Sequence, residues 1–280
     1  MNTMIRTTLI ASFVFALLIT PPASAALIAY EPFDDAPVGS DVQGKAGGLG
    51  FSGGWRAGGF NASISNNFDI ANGSPTFGNL LREGNSVSTP AVGAISGITR
   101  DLASPLGQAD STVYLSFLIQ PQGALHGGAF NGFMGLTLES AGEPELYVGK
   151  PGGGAIDRWA LEDRGGSRQH ASSVLTQSGS TALLVVKAEL FASPNINDKF
   201  TLYVNPTPGE AEPASGIVKQ DAAFGVVQGM TLYSSGAMQF DELRIGQTFA
   251  DVTPVPEPGS FGLLTVGFAA FAAAIWRRRK

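Results

Sequence analysis

The chain has 280 residues, with 17 Lys and Arg against 23 Asp and Glu and no cysteine, which excludes disulfides, thiolate metal centres and cysteine nucleophiles. Charged residues are 14% of the total and 37 residues are glycine; ordinary domains hold about 25% charged residues and about 7% glycine, so this composition points to short strands joined by many turns. Between Ala26 and Pro254 stand 12 Lys and Arg against 22 Asp and Glu, a net charge of −10, and the densest basic stretch, Arg158, Arg164 and Arg168, is interleaved with Asp157, Glu162 and Asp163. Nucleic-acid binding needs an uninterrupted basic stripe, so nucleic acid is excluded as a partner.

The N-terminus carries a single charge, Arg6, before an apolar run from Leu9 to Ile19, followed by Pro21, Pro22 and the small residues Ala23, Ser24 and Ala25. That order predicts a secretory signal peptide over residues 1–25, handed to the Sec export machinery, with Ala23 and Ala25 setting cleavage after Ala25. As a helix the run would reach about 16 Å, well short of the roughly 30 Å of hydrocarbon that a permanent anchor must cross.

Beyond residue 25 the hydrophobic period is two. Ala182, Leu184, Val186, Ala188 and Leu190 alternate with a face that includes Lys187 and Glu189, the pattern of a half-buried strand over Ala182–Phe191. In chain order the predicted strands are Leu27–Phe33, Asn67–Ala71, Val113–Gln120, Phe133–Glu139, Glu145–Gly149, Trp159–Glu162, Ala182–Phe191, Phe200–Asn205, Gly229–Tyr233 and Met238–Gly246. Gln122-Gly123, Pro151 to Gly154, Pro194-Asn195 and Pro206 to Gly209 punctuate them. About ten strands without a long helical pattern predict an all-β sandwich or jelly roll over residues 26–253, a size that buries about 70% of its unfolded surface without disulfides.

Several literal motif matches lack the setting their chemistry requires. Gly48, Gly50 and Gly53 satisfy G-x-G-x-x-G, but no helix pattern follows, so they read as a flexible turn. Ser52 sits in G-x-S-x-G without the strand-to-helix turn of a nucleophile elbow. His126 and His170 stand beside loop residues with no companion for base catalysis. Glu139, Glu143 and Glu145 are interrupted by Gly142 and Pro144 and read as a solvated loop rather than a glycosidase pair. Trp55 and Trp159 are candidates for stacking on a sugar, with core filling the favoured reading. Asp34, Asp35 and Asp41, with Asp241, could supply some of the six to eight oxygens calcium takes, though a solvated acidic loop is favoured. No catalytic residue, cofactor or metal site is assigned.

At the C-terminal end Val255, Pro256, Glu257, Pro258 and Gly259 precede an uncharged stretch from Ser260 to Trp276, closed by Arg277, Arg278, Arg279 and Lys280. Residues 260–276 meet the lower length limit of a transmembrane helix, and the four cations hold the extreme terminus in the cytoplasm. Pro256 and Pro258 fix φ and withhold two amide donors, which keeps the element extended. This order resembles the PEP-CTERM sorting signal of Gram-negative bacteria over residues 254–280. The resemblance implies an exosortase-type membrane protease as partner, transient anchoring in the inner membrane, removal of the helix and tail, and delivery to the cell surface or exopolysaccharide matrix.

Tyr30-Glu31-Pro32-Phe33-Asp34, the stretch ending Gly53-Gly54-Trp55, the turn Asn205-Pro206-Thr207-Pro208, the closing Phe240-Asp241-Glu242-Leu243-Arg244-Ile245-Gly246 and the tail Thr248 to Pro254 resemble laminin-G-like and concanavalin-A-like jelly rolls of bacterial surface proteins. That resemblance implies pairing of the first and last strands, with Glu31 and Asp34 brought close to Asp241 or Glu242. The expected function is that of an exported surface or matrix protein, structural or adhesive within exopolysaccharide and not an enzyme. A carbohydrate-binding, lectin-like module is the first alternative and a glycoside hydrolase the second.

Overall fold

The computed structural model describes residues 27–58, 67–90, 95–123, 132–140, 144–152, 157–164 and 167–256. Ala23 and Ala25, Glu257 and Pro258, segment 260–276, and Arg277, Arg278, Arg279 and Lys280 lie outside them, as do His126 and Glu143. Among the described residues fifteen strands follow one another. The first five are β1 (Leu27–Glu31), β2 (Phe51–Ala57), β3 (Asp69–Ala71), β4 (Ser86–Thr89) and β5 (Ser96–Leu106). Then come β6 (Ser111–Pro121), β7 (Met134–Ser140), β8 (Leu146–Lys150), β9 (Arg158–Asp163) and β10 (Ser167–Leu175). The last are β11 (Ala182–Leu190), β12 (Lys199–Val204), β13 (Ile217–Lys219), β14 (Val227–Ser234) and β15 (Met238–Gly246), before a single helical turn, α1 (Phe249–Val252).

The strands form two antiparallel sheets, the expected all-β jelly-roll sandwich. One has eight strands in the order β13-β12-β11-β6-β15-β4-β3, with β1 also paired to β15; the other has seven in the order β10-β9-β8-β7-β14-β5-β2. First and last strands pair as the jelly-roll resemblance implies, with Glu31 opposite Leu243 and Leu27 opposite Gly246. Alternation along β11 works as expected on its inner face, where Ala182, Leu184, Val186, Ala188 and Leu190 all join the core between the sheets. Its outer face departs from expectation. Leu183 and Val185 are fully buried too, in a second cluster with Leu80, Tyr114, Leu118, Tyr203, Phe249 and Val252.

Five strands escape the periodicity argument: β2, β4, β5, β10 and β13. The edge strand β10, Ser-Arg-Gln-His-Ala-Ser-Ser-Val-Leu, keeps most side chains in partial or full contact with water, so it shows no apolar alternation. Strand β2 corrects the reading of Gly48, Gly50 and Gly53 as a flexible turn. Gly50 has φ +78°, and a Cβ there would lie 2.0 Å from the carbonyl oxygen of Ile28, so glycine is demanded by close packing on β1 rather than by mobility. Strand β1 stops at Glu31, short of the expected Phe33, because Phe33 adopts φ +54° and turns inward. Its amide donates to Glu31 Oε1 at 3.0 Å, and its ring stacks on Trp55 at 5.7 Å between centroids.

A charged group crosses the core at this point. Glu31, 1% exposed, is ion-paired with Arg100, 2% exposed, which joins the first strand of one sheet to β5 of the other. Trp55 Nε1 donates to the same carboxylate at 3.0 Å, Arg100 Nε donates to the carbonyl of Gly53 at 3.0 Å, and the guanidinium lies 4.6 Å from the Phe51 ring centre. Burial pushes the Glu31 carboxyl up and the Arg100 guanidinium down, and their mutual attraction opposes both shifts. Replacing Arg100 alone by Met strands a buried carboxylate and is expected to destabilise the fold by about 3–5 kcal/mol. Adding Glu31→Gln, which keeps an acceptor for Trp55, is expected to recover most of that loss; a double-mutant cycle by denaturant unfolding measures both.

Candidate functional site at the C-terminal exit

Four residues make a poor helix, since nucleating one turn costs more than a single hydrogen bond returns, so α1 exists because of its ends and its apolar face. Thr248 is an extended N-cap whose Oγ1 accepts from the Asp251 amide at 3.2 Å, while Asp251 Oδ2 accepts from the Thr248 amide at 2.8 Å. Such a reciprocal cap contributes about 1 kcal/mol. Phe249 and Val252 press into the outer face of the eight-stranded sheet, Phe249 edge-on to Tyr114 at 6.3 Å and to Tyr203 at 6.0 Å. Burying a Phe side chain contributes roughly 1.5–3 kcal/mol.

The floor of that contact is itself tied. Tyr114 and Tyr203 both donate to the Glu212 carboxylate, at 2.7 and 2.6 Å, and Lys187 Nζ reaches it at 3.1 Å. Burial alone would raise the Glu212 carboxyl, but hydrogen bonds from Tyr203, Tyr114 and Lys187 hold it below its ordinary value of 4.5.

From α1 the chain is pinned residue by residue. Ser116 Oγ donates to the Val252 carbonyl at 2.7 Å, and Thr253, wholly buried, donates from Oγ1 to the Phe249 carbonyl at 2.9 Å. The Gly209 amide donates to the Thr253 carbonyl at 3.1 Å, and the Leu81 amide to that of Pro254 at 2.8 Å. Leu81 is held in turn by Arg244, whose Nη2 donates to the Leu81 carbonyl at 2.8 Å. Val255 is half-buried against Gly209, where a Cβ would stand 2.8 Å from Val255 Cγ1. Pro256 is exposed. Of the expected sorting residues, Val255 and Pro256 thus mark the point where the chain leaves the body.

The other sequence candidates disperse. Trp55 and Trp159 are 1% and 2% exposed and fill the core, so neither can stack on a sugar. Asp34, Asp35 and Asp41 spend oxygens on backbone amides, accepting from those of Asn85, Gly47 and Gln43 at 2.7, 2.8 and 2.7 Å, of which only the last is a local turn. Asp241 is wholly buried, and burial pushes its carboxyl well above the usual range. Among the described residues no three acids or histidines are grouped to hold a metal ion. Glu242, not Asp241, meets the first strand: it accepts from Tyr30 Oη at 3.0 Å and pairs with Arg244. Glu139 and Glu145 are not loop carboxylates in open solvent. Glu139 lies in β7 and accepts from Thr231 Oγ1, and Glu145 pairs with Arg164 at 2.8 Å.

Three features were invisible to sequence reasoning. His170 belongs to strand β10 and lies 2.9 Å from Asp221 in a cluster where the fully buried Lys219 reaches Asp163 at 2.8 Å and Asp221 at 2.7 Å. One cross-strand row on the outer face of the seven-stranded sheet runs Arg56, Thr99, Thr231, Thr137, Tyr147, Glu162. A cleft of about 170 Å³ opens where β10 faces the β12–β13 edge, lined by Val174, Leu202, Tyr203, Pro206, Pro213 and Ile217. No motif marks any of them, because each depends on which strands become neighbours.

These carboxyls set a pH profile. Burial raises Glu162, Glu242 and Asp241, so the folded chain keeps their protons after the unfolded chain has lost them, and stability falls as pH rises through that window. Glu212 and Asp221 are lowered despite burial, by hydrogen bonds from Tyr203, Tyr114 and Lys187 in one case and Lys219 and His170 in the other. Their contribution is present above the ordinary carboxylate value and is lost on acidification. The thermal midpoint is expected to rise from neutrality toward about pH 5 and to drop below about pH 4, with Glu212→Gln blunting the acid-side drop; a scan across pH checks both.

Several solved structures are similar to this chain. Domain 4 of a GH43 extracellular arabinanase from Geobacillus stearothermophilus, in complex with arabinotriose, is similar at 14% identity and TM-score 0.49, covering 83% of this chain and 100% of that one. The globular domain of T. cruzi calreticulin is similar at 10% identity and TM-score 0.45, covering 81% and 95%. An endo-beta-1,4-glucuronan lyase from the fungus Trichoderma reesei is similar at 10% identity and TM-score 0.39, covering 71% and 96%. No curated protein matches the sequence. Residues 254–280 match the family model of the PEP-CTERM protein-sorting motif, and the chain is therefore one that carries this sorting motif, with its first residues, Pro254 and Val255, held in the pinned exit.

Proposed function

We propose that the protein is an exported precursor whose body, residues 26–253, is delivered to the cell surface or exopolysaccharide matrix, where its role is structural or adhesive. Residues 1–25 act as the signal peptide, with Ala23 and Ala25 at the cut. Segment 260–276 then holds the precursor in the inner membrane, with Arg277, Arg278, Arg279 and Lys280 on the cytoplasmic side because four cations cross a bilayer only at high cost. An exosortase-type protease recognises Val255, Pro256, Glu257 and Pro258 and frees the body.

The observation that carries this reading is the coincidence of the matched motif with the exit: the match starts at Pro254, and the chain becomes exposed at Pro256. A structural role is supported by the way polar groups are spent. Glu31, Glu139, Glu145 and Glu162 are each committed to a neighbour within the fold, and no described Trp or Tyr is exposed. The mass of the protein recovered from the surface or medium of a producing cell is expected to begin at Ala26 and to lack residues 260–280. A mass extending through Lys280 overturns the sorting role, and turnover of a polysaccharide by the purified body overturns the structural one.

A further inference from the structure

The sorting reading treats the Pro-Glu-Pro element as freely presented, yet the fold grips the chain up to its threshold. Two backbone hydrogen bonds, Gly209 to Thr253 and Leu81 to Pro254, and the seat of Val255 on Gly209 hold the backbone immediately before Pro256. Only Pro256, Glu257, Pro258 and Gly259 separate that grip from the uncharged stretch that begins at Ser260. Four residues span at most about 12–14 Å even when extended, and the polar layer of a bilayer itself takes up roughly 5–7 Å of that distance. In a tethered precursor the folded body therefore stands almost against the membrane, with the motif in the gap between them.

A protease that takes its substrate as an extended strand uses the main chain on both sides of the recognised residues. On one side of Pro256 that main chain is already committed to Leu81 and Gly209. Resting on the sorting reading, we infer that the body gates its own release: residues 254–255 must lift from Leu81 and Gly209 before the Pro-Glu-Pro element can be gripped, so cleavage follows a local opening of the exit. The grip is small enough to open often. It is confined to the last few residues, while α1 behind it stays anchored by Phe249 and Val252, which makes the opening a terminal fraying rather than unfolding of the body.

The test uses the full-length chain, produced in cells with and without an exosortase-type protease, following tail loss by mass in pulse-chase samples. Inserting six Gly and Ser residues followed by a second Val between Val255 and Pro256 keeps the Val-Pro-Glu-Pro element intact, leaves every described contact in place and lengthens the gap. Cleavage is expected to accelerate roughly tenfold, the scale of one hydrogen bond and part of a Val contact that no longer need to open. Gly209→Ala changes no linker length but places a methyl against Val255, and is expected to speed cleavage as well; if that variant does not fold, the insertion alone decides. Equal rates for the parent and the insertion variant overturn the gate and leave the sorting reading standing. Loss of the tail from neither chain, with the protease present, overturns both.

Discussion

The sandwich is organised around a charge that water does not reach. Glu31 and Arg100 meet between the sheets, and Trp55, Phe51, Phe33 and the carbonyl of Gly53 close over them. A buried ion pair adds little net stability, because desolvating both partners offsets their attraction, and the opposite shifts of Glu31 and Arg100 away from their charged forms carry that sign. What the pair does is restrict geometry. An apolar core tolerates sliding of one sheet over the other; a carboxylate that must meet one guanidinium and one indole N–H does not.

The constraint reaches both ends of the body. Strand β1 lies along β15, so Leu27 stands opposite Gly246, three positions before α1 begins. The first described residue and the helical turn that leads to the exit are therefore neighbours on the fold. Outside the sheet, the cluster around Phe249 and the tie from Arg244 through Leu81 to Pro254 extend the order of the core to the last described residues. The first residues of the matched motif, Pro254 and Val255, are thus tied to the body.

Much of this architecture is legible from residue order. Alternation in β11 from Val186 to Leu190 and the apolar runs of β6 and β15 announce strands because a sheet with one face in the core demands period two. Among the strands without that signal, β10 is an edge open to water along much of its length, and in β2 Gly53 and Gly54 carry no side chain to read. Leu183 and Val185 were legible as apolar but not as buried, since only the arrival of α1 covers the outer face on which they stand.

By itself the sequence determined what depends on neighbours along the chain: the period-two strands, the leader-like N-terminus, and the run of prolines, apolar residues and cations whose match spans residues 254–280. Tertiary structure alone decided what depends on strangers. Glu31 finds Arg100 across 69 positions and Tyr30 finds Glu242 across 212, and Pro254 is held by Leu81. Hydrophobic burial specifies which face of a strand turns inward and leaves open which strands become neighbours, so the partners of a charge or of an exit segment emerge only when the sheets close.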